Sequence, residues 1–556
     1  MTRAFMGAAA FSAACLLASS HASQAQVPPP APIFTSPPPS PAASGSPNPA
    51  LPTPVYIPGA TPAPAPTPTP TPPPIVVQPA SAQIAVGTSQ TLSVGSVSGQ
   101  MTVTVADPAL VELGVDQAAR TVTILAKSPG MTTITITDQR GVSVSVPVRT
   151  AYYAGIVDSF ASVRITGDPA GADFIKRSAL NAALQRVQTR AGAQVVASAD
   201  QISYNASLAQ DDIATVNVPV FIQGEQYFPV DAVTHVLVEN VAAPKIMPDS
   251  LMVSDFPERL TENGQLFTAD LKRTQPSRFL YFHYNPPGEP DRRIVLRAQN
   301  LSPEPAIVQF ISGQGGPSTN EMLTGHVATY TFLRNLVQNQ GQILTIPGNG
   351  TMNLVEQPLP AKSIVCNLLQ LRVLNGSTVH LTLFAQNSVS SPDASLASTE
   401  LLSGDHPHAR GIYGIPEFHY SRLWNVNDAY LELPIGQNPL QNALKGQALA
   451  GDYGVLQSFV IKVQNPTSSP QAIAIYENPR GGRATGTYLV DGVLIQSHQV
   501  PPFSRYKIRQ YVVPARGFVR VTIQTIPDSG SSYPLRLVFA PDDGSVAPGA
   551  PGSPVY

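Results

Sequence analysis

The densest run of chemistry-bearing side chains is "GDHPHARG", which places Asp405, His406 and His408 within four residues. Carboxylates and imidazoles at this spacing can hold a metal ion, because a His-x-His pair on a strand points both rings to one side. Pro407 breaks that geometry, and the run follows a Ser/Asp-rich stretch. A solvated loop between domains is therefore expected and no metal, with Asp405, His406 and His408 the candidates that would serve otherwise. "FHY" occurs at Phe282–Tyr284 and again at Phe418–Tyr420. Aromatic rings beside a histidine can line a sugar-binding face, and otherwise serve as the core and edge of a strand. "GQGGPSTNE" (Gly313–Glu321) is glycine-rich but lacks a strand-to-helix phosphate pattern, and reads as a flexible loop. Cys366, in "SIVCNLL", reads as a small buried hydrophobe. There is no G-x-S-x-G, H-E-x-x-H, P-loop or paired-cysteine motif. With no recognisable nucleophile, base and oxyanion hole, no catalytic residue, no cofactor and no enzyme activity are expected.

The elements that would position such groups follow from composition. The chain has 556 residues and a net charge of −2, with 12% charged residues against about 25% in ordinary globular proteins. Neither nucleic acid nor an anionic lipid surface is an expected partner. A basic start at Thr2-Arg3, a short apolar run and "SQA" at Ser23–Ala25 read as a secretory signal peptide over residues 1–25. Residues 26–74 are rich in proline and short of core-forming side chains, so they read as a disordered, semi-rigid spacer. No later stretch is long and apolar enough for a transmembrane helix. Once the signal is removed only Cys366 remains, so stability must come from ordinary hydrophobic cores.

Those cores are predicted to be mainly β: a multidomain chain of antiparallel, Ig-like β-sandwiches with one small α/β unit. Residues 75–150 hold "MTVTVADP", "RTVTILA", "MTTITITD" and "VSVSVPV", each alternating with period two. This stretch, with its "DPALVEL" and "AKSPGMTTITITD" phrases, resembles the N-terminal domain of pilus-formation proteins of the secretin type. The resemblance implies a small β-sandwich working in an envelope assembly. Residues 151–245 contain a helix pattern in "ADFIKRSALNAALQRVQTRAG", with Ile175, Leu180, Leu184, Val187 and Ala191 at helical spacing and Gly192 as a stop. Strands surround it, a build similar to secretin ring domains.

The rest looks duplicated. "VLRAQNLSPEPAIVQF" and "VIKVQNPTSSPQAIAIY" align Gln299-Asn300 with Gln464-Asn465, an offset of 165; "LPAKSIV" and "VPARGFV" align Leu359 with Val513, an offset of 154. A further shift of one places "LFA" (Leu383–Ala385) on "VFA" (Val538–Ala540). Two β-sandwich repeats are predicted, over 246–395 and 405–542, followed by a disordered tail at 543–556. The region from "PDSLMVSDFPERLTENGQLF" through "RFLYFHYNPPGEPDRRIVLRAQN" also resembles uncharacterised exported bacterial proteins. The expected role is an exported, non-enzymatic scaffold or accessory protein that contacts envelope, pilus or secretion proteins. It would be periplasmic, outer-membrane-associated or extracellular, with its oligomeric state open. The alternative is an Ig-like adhesin or carbohydrate-binding surface protein.

Overall fold

The computed structural model describes residues 72–388, 400–404, 408–443 and 447–545. The signal peptide, nearly all of the Pro-rich spacer, Asp405, His406 and the tail beyond residue 545 lie outside the described residues. The chain forms two units that divide between Tyr152 and Tyr153.

In the first unit, alternation of small β-branched residues gives strands with one apolar face. Val122, Ile124 and Ala126 point inward from one strand, Ile134 and Ile136 from the next, and Val146 and Val148 from a third. Two four-stranded sheets close over this core. One runs Val76–Gln78, Ser89–Gly95, Thr121–Ala126, Val111–Asp116; the other runs Ala82–Ala85, Ser143–Ala151, Gly130–Thr137, Thr102–Val105. Asp138 closes a corner by pairing with Arg140 at 2.6 Å and accepting from the Ser98 N–H.

The second unit begins with the small α/β element. Helix α1 (Ala172–Leu184) buries Ile175, Ala179 and Ala183 on strands Phe160–Thr166, Ile213–Gln223 and Val230–Asn240. The helix is shorter than its apolar spacing predicts. After Leu184 the polar and β-branched run Val187–Thr189 pairs instead with Gly155–Val157 as a strand. The expected boundary at 245 also falls inside a single sheet. Phe160–Thr166 pairs antiparallel with Gly341–Ile346, which fuses the α/β strands to the first sandwich in one ten-stranded sheet. Arg410–Tyr413, predicted within the second repeat, is the far edge strand of that same sheet.

Both repeats share one topology. In the first, Ser250–Ser254, Ser277–Asn285, Ser363–Asn375, Ala306–Ser318 and Gly341–Ile346 lie side by side, and Gly264–Leu271, Val379–Asn387, Arg292–Asn300 and Thr351–Leu359 form the facing sheet. In the second, Glu417–Asn425, Leu456–Gln464, Phe518–Thr525, Ala484–Val490 and Val493–Val500 take the same order. Leu431–Ile435, Leu535–Pro541, Gln471–Pro479 and Tyr506–Val513 face them. Each sandwich pairs its first and third strands in parallel.

This topology corrects the register of the repeat. Leu456–Gln464, which leads into Asn465, corresponds to Ser277–Asn285 and not to Arg292–Asn300. Phe282 pairs with Cys366, and Lys462 with Arg520, so offsets of 180 and 154 reproduce the whole pairing register. The "LPAKSIV" and "VPARGFV" phrases do occupy equivalent corners. The extra shift for "LFA" fails, because it would match Phe384, outside the first sandwich core, with Phe539, inside the second.

Recurring corner chemistry explains the misleading phrase. Four turns, Pro347–Gly350, Pro360–Ser363, Pro501–Ser504 and Pro514–Gly517, each close with a hydrogen bond from the fourth N–H to the proline carbonyl. Their third residues, Asn349, Lys362, Phe503 and Arg516, all have positive φ. Beside each turn an asparagine Nδ2 donates to a carbonyl at the corner: Asn300 to Pro347 at 3.2 Å, Asn285 to Leu359 at 3.0 Å, Asn478 to Ser504 at 2.5 Å and Asn465 to Val513 at 3.1 Å. Buried carbonyls at a strand end need such donors.

Candidate functional site

The two sandwiches meet through helix α2 (Glu321–Val337), which lies within the stretch predicted as the first β-sandwich repeat and follows the run read as a flexible loop. The glycine-rich run is in fact the end of strand Ala306–Ser318. Its glycines let the helix lie directly on the strand. A Cβ at Gly315 would sit 1.9 Å from the Thr324 carbonyl oxygen, and one at Gly313 would sit 2.3 Å from that of Ala328. Asn320 caps the helix by accepting from the Leu323 N–H at 3.1 Å.

Two buried charge contacts cross the seam. His326 on α2 is bonded through Nδ1 to Asp528 Oδ2 at 2.7 Å and through Nε2 to Gln496 Oε1 at 2.8 Å. With acceptors on both sides, the ring is held as imidazolium. Burial alone would lower its pKa, but Asp528 and Gln496 raise it further than burial lowers it. Nearby, burial raises the carboxyl of Glu477 to about 7, where Ser497 donates to it. The second contact is Arg278, which is fully buried. It pairs with Glu417 at 2.8 Å, donates to the Pro416 and Gly454 carbonyls, and lies over the ring of Phe332. Cys366 packs in the same seam, as its sequence context predicts.

Beside the seam an open cleft of about 570 Å³ is lined by Glu258, Arg259, Tyr284, Pro287, Thr319, Glu321, Lys362 and Ile364. His408, the one described member of the metal candidates, stands at its edge. Its Nδ1 faces Asp255 at 3.4 Å and its Nε2 faces Glu258 at 3.0 Å. These acceptors lie on opposite sides of the ring, so the imidazole bridges two carboxylates and does not converge with them on one point. Its hydrogen bond to Asp255 raises its pKa, while burial raises Asp255 to about 6. Among the described residues no group of three or more His, Cys, Asp and Glu is arranged to hold a metal ion. The two "FHY" runs part company. Phe282 and His283 are buried in a central strand, and His283 is held neutral at about 4 by burial, its Nδ1 donating to the Pro257 carbonyl. Phe418–Tyr420 lies on an edge strand of the other sandwich.

The seam contacts hold the two sandwiches together, since His326 with Asp528 and Arg278 with Glu417 are buried against one another. Sequence reasoning missed His326 because its partner is 202 residues away.

Residues 78–148 match the family model described as the pilus formation protein N-terminal region. The match lies within the first unit. No curated protein matches the chain. Among solved structures, a tri-modular GH5 endo-β-1,4-glucanase from Bacillus licheniformis aligns at 12% identity over 30% of this chain and 38% of its own, with a TM-score of 0.13. Drosophila N-cadherin EC1-4 aligns at 13% identity over 30% of this chain and 50% of its own, also at 0.13. An M60 catalytic domain with two CBM51 domains from Clostridium perfringens aligns at 8% identity over 84% of this chain and 54% of its own, again at 0.13. The chain thus spans well under two thirds of each, and superpositions this loose carry nothing about role. Among the described residues no helix is long and apolar enough to cross a membrane.

Proposed function

We propose that this chain is an exported scaffold or accessory protein of a pilus- or secretion-type envelope assembly, working by protein–protein contact and not by catalysis. The observation that carries this reading is the match of residues 78–148 to the pilus formation N-terminal region, over a stretch that folds as a complete small sandwich. The secretory start of the sequence supports an exported location. The use of His326, Asp528, Arg278 and Glu417 as seam contacts supports a structural role for the second unit. Crosslinking in cells followed by affinity purification of the full chain tests the proposal. Pilus or secretion components are expected to co-purify, and deletion of residues 76–151 is expected to release them. Recovery of the same partners without the first unit, or of no envelope component at all, would sink it.

A further inference from the structure

The second sandwich leaves part of one sheet face open: α2 covers it at Ala484–Val490, where Thr485 and Thr487 are buried, but not across Glu417–Asn425, Leu456–Gln464 and the start of Phe518–Thr525. Phe459, Ile461, Val463, Val521 and Ile523 point into its core, so the residues between them point out. Strand register sets these in rows across three strands: Ser421, Val460 and Thr522; Leu423, Lys462 and Arg520; Asn425, Gln464 and Phe518. Phe518 is 57% exposed and Leu423 56%. In the first sandwich the positions of Lys462, Arg520, Thr522 and Phe518 are held by Phe282, Cys366, Leu368 and Ile364, all buried.

Two cations on this face stand side by side. Lys462 and Arg520 are direct cross-strand neighbours, and like charges so placed destabilise a sheet. Neither makes an ion pair with a described residue, and the nearby acids have other partners. Glu417 holds Arg278, Asp428 accepts from the Asn425 N–H, and Asp491 accepts from Tyr511 and Thr522. The Lys462 ammonium sits 4.5 Å from the centre of the Phe518 ring. Arg516, in the turn leading into that strand, adds a third exposed cation at the same end.

We propose that this face binds a carboxylated polysaccharide. Cations on strands about 5 Å apart match a chain of spaced carboxylates. The amide of Gln464 and the hydroxyl of Ser421 both donate and accept, as sugar hydroxyls require, the Gln524 amide keeps a second N–H beyond its bond to Ser458, and Phe518 offers a ring. Two exposed apolar side chains are too few for the desolvated core of a protein interface. This binding is independent of the assembly reading and goes beyond it.

Affinity electrophoresis of the full chain in gels containing alginate, dextran or poly-glutamate tests it. Retardation in alginate is expected, weakened by salt and absent in dextran. The double variant Lys462→Gln/Arg520→Gln should weaken alginate binding at least tenfold with an unchanged melting temperature, because both side chains are exposed. Lys272→Gln/Arg273→Gln, which removes two exposed cations elsewhere, should bind as wild type. No retardation in alginate, equal loss in both double variants, or tighter binding to poly-glutamate than to alginate would overturn the proposal.

Discussion

The two sandwiches are built alike strand for strand, yet sheet positions that are buried in one stand exposed in the other. The difference lies in a single connection. In the second sandwich Ala484–Val490 turns into Val493–Val500 through Asp491-Gly492, a two-residue hairpin with positive φ at both residues. In the first, the equivalent connection carries the seventeen-residue α2, which lies across the outer face of its own sheet. The covered face has become apolar, and the uncovered one has Lys462, Arg520 and Thr522 at the same positions. Two sandwiches of like topology thus meet at one seam, while a set of equivalent sheet positions is buried in the first and exposed in the second without any change of register.

The sharpest way to break this comparison is to exchange the residues at one equivalent position. Cys366→Arg would put an unpaired guanidinium in the seam, and a loss on the order of 5 kcal/mol is expected, enough to abolish cooperative unfolding of the second unit. Arg520→Ala, at the matching position, should stay within about 0.5 kcal/mol of wild type. Urea denaturation followed by the burial-sensitive fluorescence of Trp424 measures both. Comparable losses would show that the two faces are not distinct.

A smaller effect is expected from unpairing the seam. Asp528→Ala leaves His326 buried without its counter-charge, and about 3 kcal/mol of stability should be lost. His326→Phe made together with it should recover part of that loss. A double variant no more stable than the single one would mean that the charge pair is not what Asp528 contributes.

The smallest effect separates the units by pH. Glu477 is held protonated up to about 7 in the fold against 4.5 unfolded, and the His326 pKa is also raised. Each binds its proton more tightly when folded. The Glu477 contribution is therefore fully present below about 4.5 and fades as pH rises to 7, and that of His326 is lost as pH rises above 6.5 through its folded value. In the first unit the Arg140 side chain holds the Asp138 carboxyl down at about 2, against 3.8 unfolded, so its contribution fades as pH falls through that range. Scanning calorimetry across pH should show the second unit's transition falling toward alkaline pH and the first unit's falling only in acid. Parallel shifts would contradict the assignment.

The strands were legible in the sequence because one buried face leaves alternation behind, as at Val122, Ile124 and Ala126. The likeness of the two sandwiches was legible from "VPARGFV", but its register was misread at Gln-Asn. The asparagine corner recurs four times, so a local solution to capping strand ends imitated a repeat boundary. Helix α2 was hidden because Thr324, Gly325, His326, Thr329 and Asn335 are buried along with apolar residues, leaving no clean polar side to read. The seam was invisible for a different reason: His326 with Asp528 and Arg278 with Glu417 join residues far apart in sequence, and no short-range pattern encodes their meeting.

The ten-stranded sheet also sets an order of events during synthesis. Phe160–Thr166 is made early, but the strand that pairs with its second edge begins at Gly341, 175 residues after Thr166. Until Gly341–Ile346 has been translated, that edge offers unpaired backbone groups, a template for wrong pairing. Delayed closure leaves that bare edge in need of cover for the interval.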